Sequence, residues 1–287
     1  ALRTPMFLVT FRRAGAAPEA GVLRGDRVIS VSGAGYPDVL SIIQGGPEAL
    51  KKIETWISQP RPAEPLAGVK LMAPIPRPPK FICIGLNYRD HAEETNMPIP
   101  AVPTVFNKFA TAVIGPGDPI VLPKSSTRPD YEAELAFIIG KGGRYIAASD
   151  WREHVFGYTM VNDVSARDYQ MATSQWLMGK TFDTFAPMGH CLATADEIAD
   201  PHALDISLTL NGEVMQSSNT RNLIFRLPEL VEFLSSVFTL EPGDVVSTGT
   251  PGGVGFARKP PVYLKPGDEV VVRVQGLGEL RNPVISE

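Results

Sequence analysis

The chain contains only two cysteines in 287 residues, Cys83 and Cys191, both in apolar surroundings. Two are too few for a disulfide framework and they form no C-x-x-C pair, so a reducing compartment follows. No apolar run approaches the length that crosses a bilayer. The opening stretch, ALRTPMFLVTFRR, lacks the long apolar core of a signal peptide. Cytosol is therefore the expected compartment, with an organelle as the alternative if a transit peptide has been removed. No Lys/Arg cluster is dense enough for a nucleic-acid footprint, and the net charge is -4. Residues 248–255, TGTPGGVG, look like a phosphate loop, yet the G-K-[ST] ending is missing, so the nucleotide reading is poor. What remains is an ordinary globular composition, 44% hydrophobic and 20% charged, enough for one large domain or two smaller ones. The expected partner is a small molecule, with no nucleic acid and no membrane.

Residues 6–11 and 21–31 read as short strands, the second interrupted by Arg24-Gly25-Asp26-Arg27, a hairpin turn. Residues 47–57 read as a helix, with Pro47 at its first position and Leu50, Ile53 and Ile57 on one face. Seven prolines then fall between Pro60 and Pro79. Proline fixes φ and removes an amide donor, so this segment should lie extended over the surface. It separates a small α+β module, residues 1–73, from a main body, residues 74–287. The body opens with a buried strand at 81–85. It carries three Pro-Gly-Asp turns, at Pro116, Pro242 and Pro266, each followed by an apolar strand-like run. Asp150 with Glu153 fits a capping box for a short helix ended by Gly157. Residues 228–238 make the best helix, with Leu230, Val231, Leu234 and Phe238 in one stripe. Many strands and few helices give a β-rich α+β class.

The chemistry centres on RPDYEAELAFIIG, residues 128–140. Leu135 to Ile139 reads as a buried strand closed by glycine. On it, Glu132 and Glu134 point to the same face, and two such carboxylates need a cation or a shared proton. Asp163, at the end of GYTMVND, is a further buried-looking acid. Two glutamates and an aspartate make an all-oxygen site suited to Mg²⁺, Mn²⁺ or Ca²⁺ rather than zinc. On spacing alone, an E-x-E pair is more often a solvated strand edge. Likewise His91 and Glu94 share one side of a helical turn, where a carboxylate can orient an imidazole to take a proton. Spacing alone favours a charged, solvated helix there. Arg167 suits a substrate carboxylate, Gln170 can donate to a carbonyl, and Lys180 is a lone lysine among apolar residues. The glycine-rich segment at 248–255 is either a tight turn or a set of exposed N–H groups that hold a carboxylate or oxyanion. His154, His190 and His202 have no acid partner at a useful spacing and read as structural or surface. Cys83 and Cys191 read as core.

DYEAELAFIIG followed by FGYTMVNDVSARD closely resembles the fumarylacetoacetate hydrolase family, and the likeness runs from about Lys80 to the C-terminus. The resemblance implies a rolled mixed β-sandwich for the body and a catalytic divalent ion on Glu132, Glu134 and Asp163. It implies that His91 and Glu94, in GLNYRDHAEE, are the pair that activates water. Arg167 and Gln170 then bind substrate, Lys180 binds and polarises it, and the segment containing Thr250 closes over it. Lys108 in FNKFA is a second, weaker lysine of the same kind. A homodimer is also implied.

The resulting expectation is a Mg²⁺-dependent hydrolase that cleaves a C–C bond in a small 2,4-dioxo acid, giving pyruvate or a relative plus a second acid. The alternative is a 2-oxo acid decarboxylase or an enol–keto isomerase, of the oxaloacetate or hydroxy-dienedioate type, since the fold does not choose the reaction. A third class is a non-catalytic relative that holds a cation and binds a ligand.

Overall fold

The structure is a computed structural model and describes residues 5–287; residues 1–4, the start of the expected N-terminal module, lie outside it. Among the described residues, no helix is long and apolar enough to cross a membrane.

A 12-stranded mixed sheet forms the backbone of the molecule, and a five-stranded sheet lies on one of its faces. The strand Ala133–Ile139 is buried along its whole length, between Val155–Asn162 and Val245–Ser247. Side chains alternate across a strand. Ala133, Leu135, Phe137 and Ile139 enter one core, together with Ile206, Leu208, Val270, Val272 and Leu280 of the smaller sheet. Ala136 and Ile138 enter a second core, with Ile42, Ile43, Ile53 and Ile57 of the helix Val39–Ser58. The sheet is thus covered on both faces, which is why its central strand reads as a continuous apolar run.

The hairpin near the N-terminus forms, with Arg24 opposite Arg27 and Gly25-Asp26 as its loop. The helix is longer than its sequence suggests. Asp38 caps it by accepting from Ser41 N at 2.7 Å, and Gly46, with φ 59°, breaks it before Pro47 restarts it. The proline-rich segment does not stay on the surface. Glu64–Pro65 pairs with Arg27–Ser30, Lys70–Met72 pairs with Phe7–Arg12, and Ala73, Pro74 and Ile75 are buried. The carbonyl of Pro74 accepts from Thr10 Oγ1 at 2.7 Å, which draws the segment in. Phe7–Arg12 also pairs with Ala186–Thr194, so one sheet runs from the expected module into the expected body.

The three Pro-Gly-Asp turns are alike in detail. Each glycine has positive φ, and each aspartate amide donates back to the residue three positions earlier. In addition, each aspartate side chain accepts from the amide of that same earlier residue: Gly115, Glu241 and Lys265. The expected capping box at Asp150 is absent, because the Asp150 side chain makes no cap and the helix Trp151–His154 runs straight into a strand. Gly157 lies inside that strand rather than ending the helix. A Cβ there would stand 2.0 Å from the carbonyl oxygen of Ala193, so it is the neighbouring strand that requires glycine. The helix Leu227–Val237 forms as its stripe predicts, burying Leu230, Val231 and Leu234.

Candidate active site

Strand register builds the acid cluster. Ala133 stands opposite Asn162, and Glu134 opposite Val161, in an antiparallel ladder. One step beyond, Asp163 N donates to Glu132 O at 2.9 Å, and Asn162 Oδ1 accepts from Glu132 N at 3.0 Å. Glu132 and Asp163 therefore face each other across the ladder, and Glu134 follows two residues along on the same side. One carboxylate oxygen from each of Glu132, Glu134 and Asp163 lies within 4.8 Å of the other two, and all three residues are buried.

Their surroundings are cationic. Lys180 Nζ lies 3.1 Å from Glu132 Oε2 and 3.2 Å from Asp163 Oδ2. Arg167 reaches Glu132 Oε1 at 2.9 Å through Nη1. Burial would raise the Glu132 carboxyl, but Lys180 and Arg167 draw it down to about 2. Glu134 moves the other way. Burial, then the charges of Asp163 and Glu132, push it well above the usual carboxylate range, against the hydrogen bond from Ser247 Oγ. Burial would also lower Lys180, yet Asp163 and Glu132 hold it above its ordinary value. The cluster thus has one carboxylate that is costly to ionise, and three hard oxygen donors close enough to share an ion. This is the donor chemistry of a divalent-cation site.

Glu132, Lys180 and Arg167 line a cavity of about 210 Å³, together with His91, Gln170 and Thr250. Glu134 and Asp163 complete the triad but do not line the cavity. Arg167 is aimed by its partners: Nε donates to Asp130 Oδ2 at 2.9 Å and Nη1 to Gln170 Oε1 at 2.9 Å. Its Nη2 is buried and has no hydrogen-bond partner among the described residues. The helix Arg89–Glu94 carries the expected pair, with His91 Nδ1 2.7 Å from Glu94 Oε1. That contact leaves Nε2 as the ring nitrogen available to a substrate. Thr250 Oγ1 donates to Ala133 O at 2.9 Å and accepts from Gln216 Nε2 at 2.8 Å. Lys108 lies outside the cavity lining. Its ammonium stands 2.7 Å from Asp163 Oδ1 and donates to the carbonyls of Val164, Lys180 and Phe185.

The glycine-rich segment binds carboxylates, but they are the protein's own. Gly249 N donates to Glu134 at 3.1 Å and Gly253 N to Glu94 at 2.7 Å. Gly255 N and Phe256 N both donate to Asp130, at 2.8 and 2.9 Å. Sequence reasoning passed over Asp130, although it lies two residues before Glu132. It also passed over the apolar wall, where Trp176 packs so tightly on Gly85 that a Cβ there would come within 2.2 Å of the indole. Asp168, beside Arg167, faces away and accepts from Ser126 and Thr127.

Residues 80–285 match the family described as fumarylacetoacetate (FAA) hydrolase C-terminal, and the chain belongs to that family. It is an enzyme of that family, and its fold is the family's. It is 48% identical over 249 residues to the mitochondrial oxaloacetate tautomerase FAHD2A of Bos taurus, covering 86% of this chain and 79% of that protein. Among solved structures, a fumarylacetoacetate hydrolase from psychrophilic Exiguobacterium antarcticum superposes with a TM-score of 0.87 at 35% identity, covering 98% of this chain and 100% of its own. Maleylpyruvate hydrolase from Sphingobium sp. SYK-6, solved with manganese(II) and pyruvate, gives a TM-score of 0.83 at 33% identity, covering 98% and 99%.

Proposed function

We propose that this protein is an enol–keto tautomerase of oxaloacetate or a closely similar small 2-oxo diacid. The observation that carries this reading is the 48% identity to an oxaloacetate tautomerase over 86% of the chain. It moves hydrolysis, the first expectation from sequence, into second place. All the residues named for the chemistry lie between His91 and Phe256, within residues 74–287, the catalytic part in this reading.

The site suits the reaction. Tautomerisation removes one proton from the enol oxygen on C2 and places one on C3, the other end of the enol double bond; no water is consumed and no carbon–carbon bond breaks. A divalent ion on Glu132, Glu134 and Asp163, whether Mg²⁺ or Mn²⁺, would supply Lewis-acid polarisation of the 2-oxo oxygen. Arg167, held by Asp130 and Gln170 with Nη2 unpartnered among the described residues, offers a charged donor for a substrate carboxylate. His91, oriented through Nδ1 by Glu94, carries the proton at Nε2. Lys180, within the cavity wall, limits negative charge as the enolate forms.

Carbon–carbon hydrolysis of a 2,4-dioxo acid is the second reading. The likeness to maleylpyruvate hydrolase favours it, since the same His91–Glu94 pair is suited to activating water. The mitochondrial relative supports an organelle as the place of work. A homodimer remains part of the proposal and is read by light scattering.

The test compares two substrates with metal-loaded protein and with EDTA. Decay of enol-oxaloacetate is followed in the ultraviolet, and pyruvate release from acetopyruvate is followed by coupled assay. The expected result is metal-dependent decay of the enol well above the buffer rate. His91→Ala should slow it by about 10²- to 10⁴-fold. Rapid acetopyruvate cleavage with no acceleration of the enol would put hydrolysis first. Metal binding without turnover of either would make this a binding protein.

A further inference from the structure

We propose that the loop 248–256 is a fixed positioning element, and that the neighbours Asp130 and Tyr131 fasten it in two different ways. Asp130 would serve substrate binding through Arg167, and Tyr131 would serve proton transfer through Glu94. The proposal rests on the roles given above to Arg167 and to the His91–Glu94 pair.

The geometry has two branches from neighbouring residues, Asp130 at the end of the short strand Pro129–Asp130 and Tyr131 just beyond it. Asp130 is fully buried, and both of its oxygens are used. Oδ1 accepts from Gly255 N and Tyr131 N, each at 2.8 Å; Oδ2 accepts from Phe256 N and from Arg167 Nε, each at 2.9 Å. A carboxylate with four donors is a rigid mount for a guanidinium. Phe256 is held at the same mount, and its ring lies 4.3 Å from the Arg167 guanidinium carbon. The loop and the carboxylate-binding arginine are therefore fixed by one side chain.

Tyr131 acts on the other branch. Its hydroxyl donates to Gly253 O at 3.0 Å, with Arg258 Nε as a longer second donor at 3.3 Å. Gly253 N in turn donates to Glu94 Oε2, and Glu94 Oε1 meets His91 Nδ1. Residue 253 has to be glycine. Its φ is +102°, and a Cβ would stand 2.1 Å from Met215 O. The tyrosine thus sets the height of an amide that orients the carboxylate, and the carboxylate orients the imidazole. The remaining bonds keep the loop seated without substrate: Gly249 N on Glu134, and Gln216 Nε2 on Thr250 Oγ1 and Pro251 O.

Two adjacent residues should therefore give opposite kinetic signatures, which a general loss of stability would not. Tyr131→Phe and Asp130→Asn are compared in the metal-loaded full chain. Tyr131→Phe should lower kcat about tenfold, since small misplacements of a catalytic group are costly, with KM within about twofold. Asp130→Asn should raise KM about tenfold, the usual worth of a charge-assisted hydrogen bond, with the smaller effect on kcat. Two further readouts need no turnover. The ¹⁵N ring resonances of His91 should move in Tyr131→Phe, and oxalate affinity, by calorimetry, should fall in Asp130→Asn alone. Asp130→Glu replaces Asp130→Asn if the latter does not fold. If wild-type protein turns over neither substrate, the proposed function fails, and the resonance and oxalate measurements still decide this inference. Unmoved His91 resonances in Tyr131→Phe, or parallel losses of kcat and KM in both variants, would overturn it.

Discussion

Asp163 N donates to the carbonyl of Glu132 at 2.9 Å, closing the ladder at the point where the two carboxylates face each other. This bond continues the register between Ala133–Ile139 and Val155–Asn162. A slip of one residue would turn Glu132 and Glu134 to the opposite face and leave Asp163 without them. Buried carboxylates so close together need cations among them or a proton on one of them, and the cluster already contains Lys180 and Lys108.

The ion and Lys180 should therefore compete. Removing one of three hard ligands should cost more than the loss of an outer-shell partner, so Asp163→Ala should weaken Mn²⁺ binding by at least about 100-fold. Lys180→Met should act in the other direction. It removes a positive charge beside two of the ligands, and near-contact repulsion is worth kilocalories even with protein screening, so binding should tighten at least about tenfold. Turnover should nevertheless fall. Calorimetric titration measures both variants, and weaker binding in Lys180→Met would mean that the lysine organises the acids rather than opposing the ion.

Gly157 should tolerate no side chain. Its added Cβ would meet backbone, the carbonyl of Ala193, and backbone in a central ladder cannot step aside. Gly157→Ala should lose about 3 kcal/mol of stability, at the upper end of ordinary overpacking. Urea denaturation measures it; a loss below that of a solvent-exposed strand glycine would show that the two strands can separate there.

Stability should also fall on the acid side through His202. Its Nε2 accepts from Leu227 N at 3.2 Å, at the start of the helix Leu227–Val237, and this requires a neutral ring. Asp200, 3.5 Å from Nδ1, is an acid partner that sequence spacing did not suggest. Burial first, then the charge of Arg226, holds the imidazole below its ordinary 6.5, although Asp200 opposes them. A depressed folded pKa means that the unfolded chain takes up the proton first. The contribution is therefore complete above the ordinary histidine value and is lost as pH falls through it toward the folded value. About 1 kcal/mol, the typical worth of a helix N-terminal cap, should disappear on acidification across this window. His202→Gln should flatten that part of the stability–pH curve; an unchanged slope would assign it to other groups.

Local chemistry determined much of this molecule. The alternation of Glu132, Ala133 and Glu134 placed two carboxylates on one side of a strand, because a strand has a period of two. The hairpin at Gly25-Asp26, the three Pro-Gly-Asp turns and the helix at Leu227–Val237 also follow from short-range rules, since their φ preferences and apolar stripes lie within a few residues. Those rules misplace Gly157, which answers to a carbonyl 36 positions away in the chain, at Ala193. They miss the first turns of the helix Val39–Ser58, where Asp38 and Ser41 cap a segment that Gly46 then breaks. They leave the glycine-rich segment as either a turn or an anion holder, and only tertiary structure shows that its amides hold Glu134, Glu94 and Asp130. The physical reason is range. A propensity or a period is read over neighbours, whereas the acid triad, the aim of Arg167 and the setting of His91 depend on contacts between segments thirty or more residues apart.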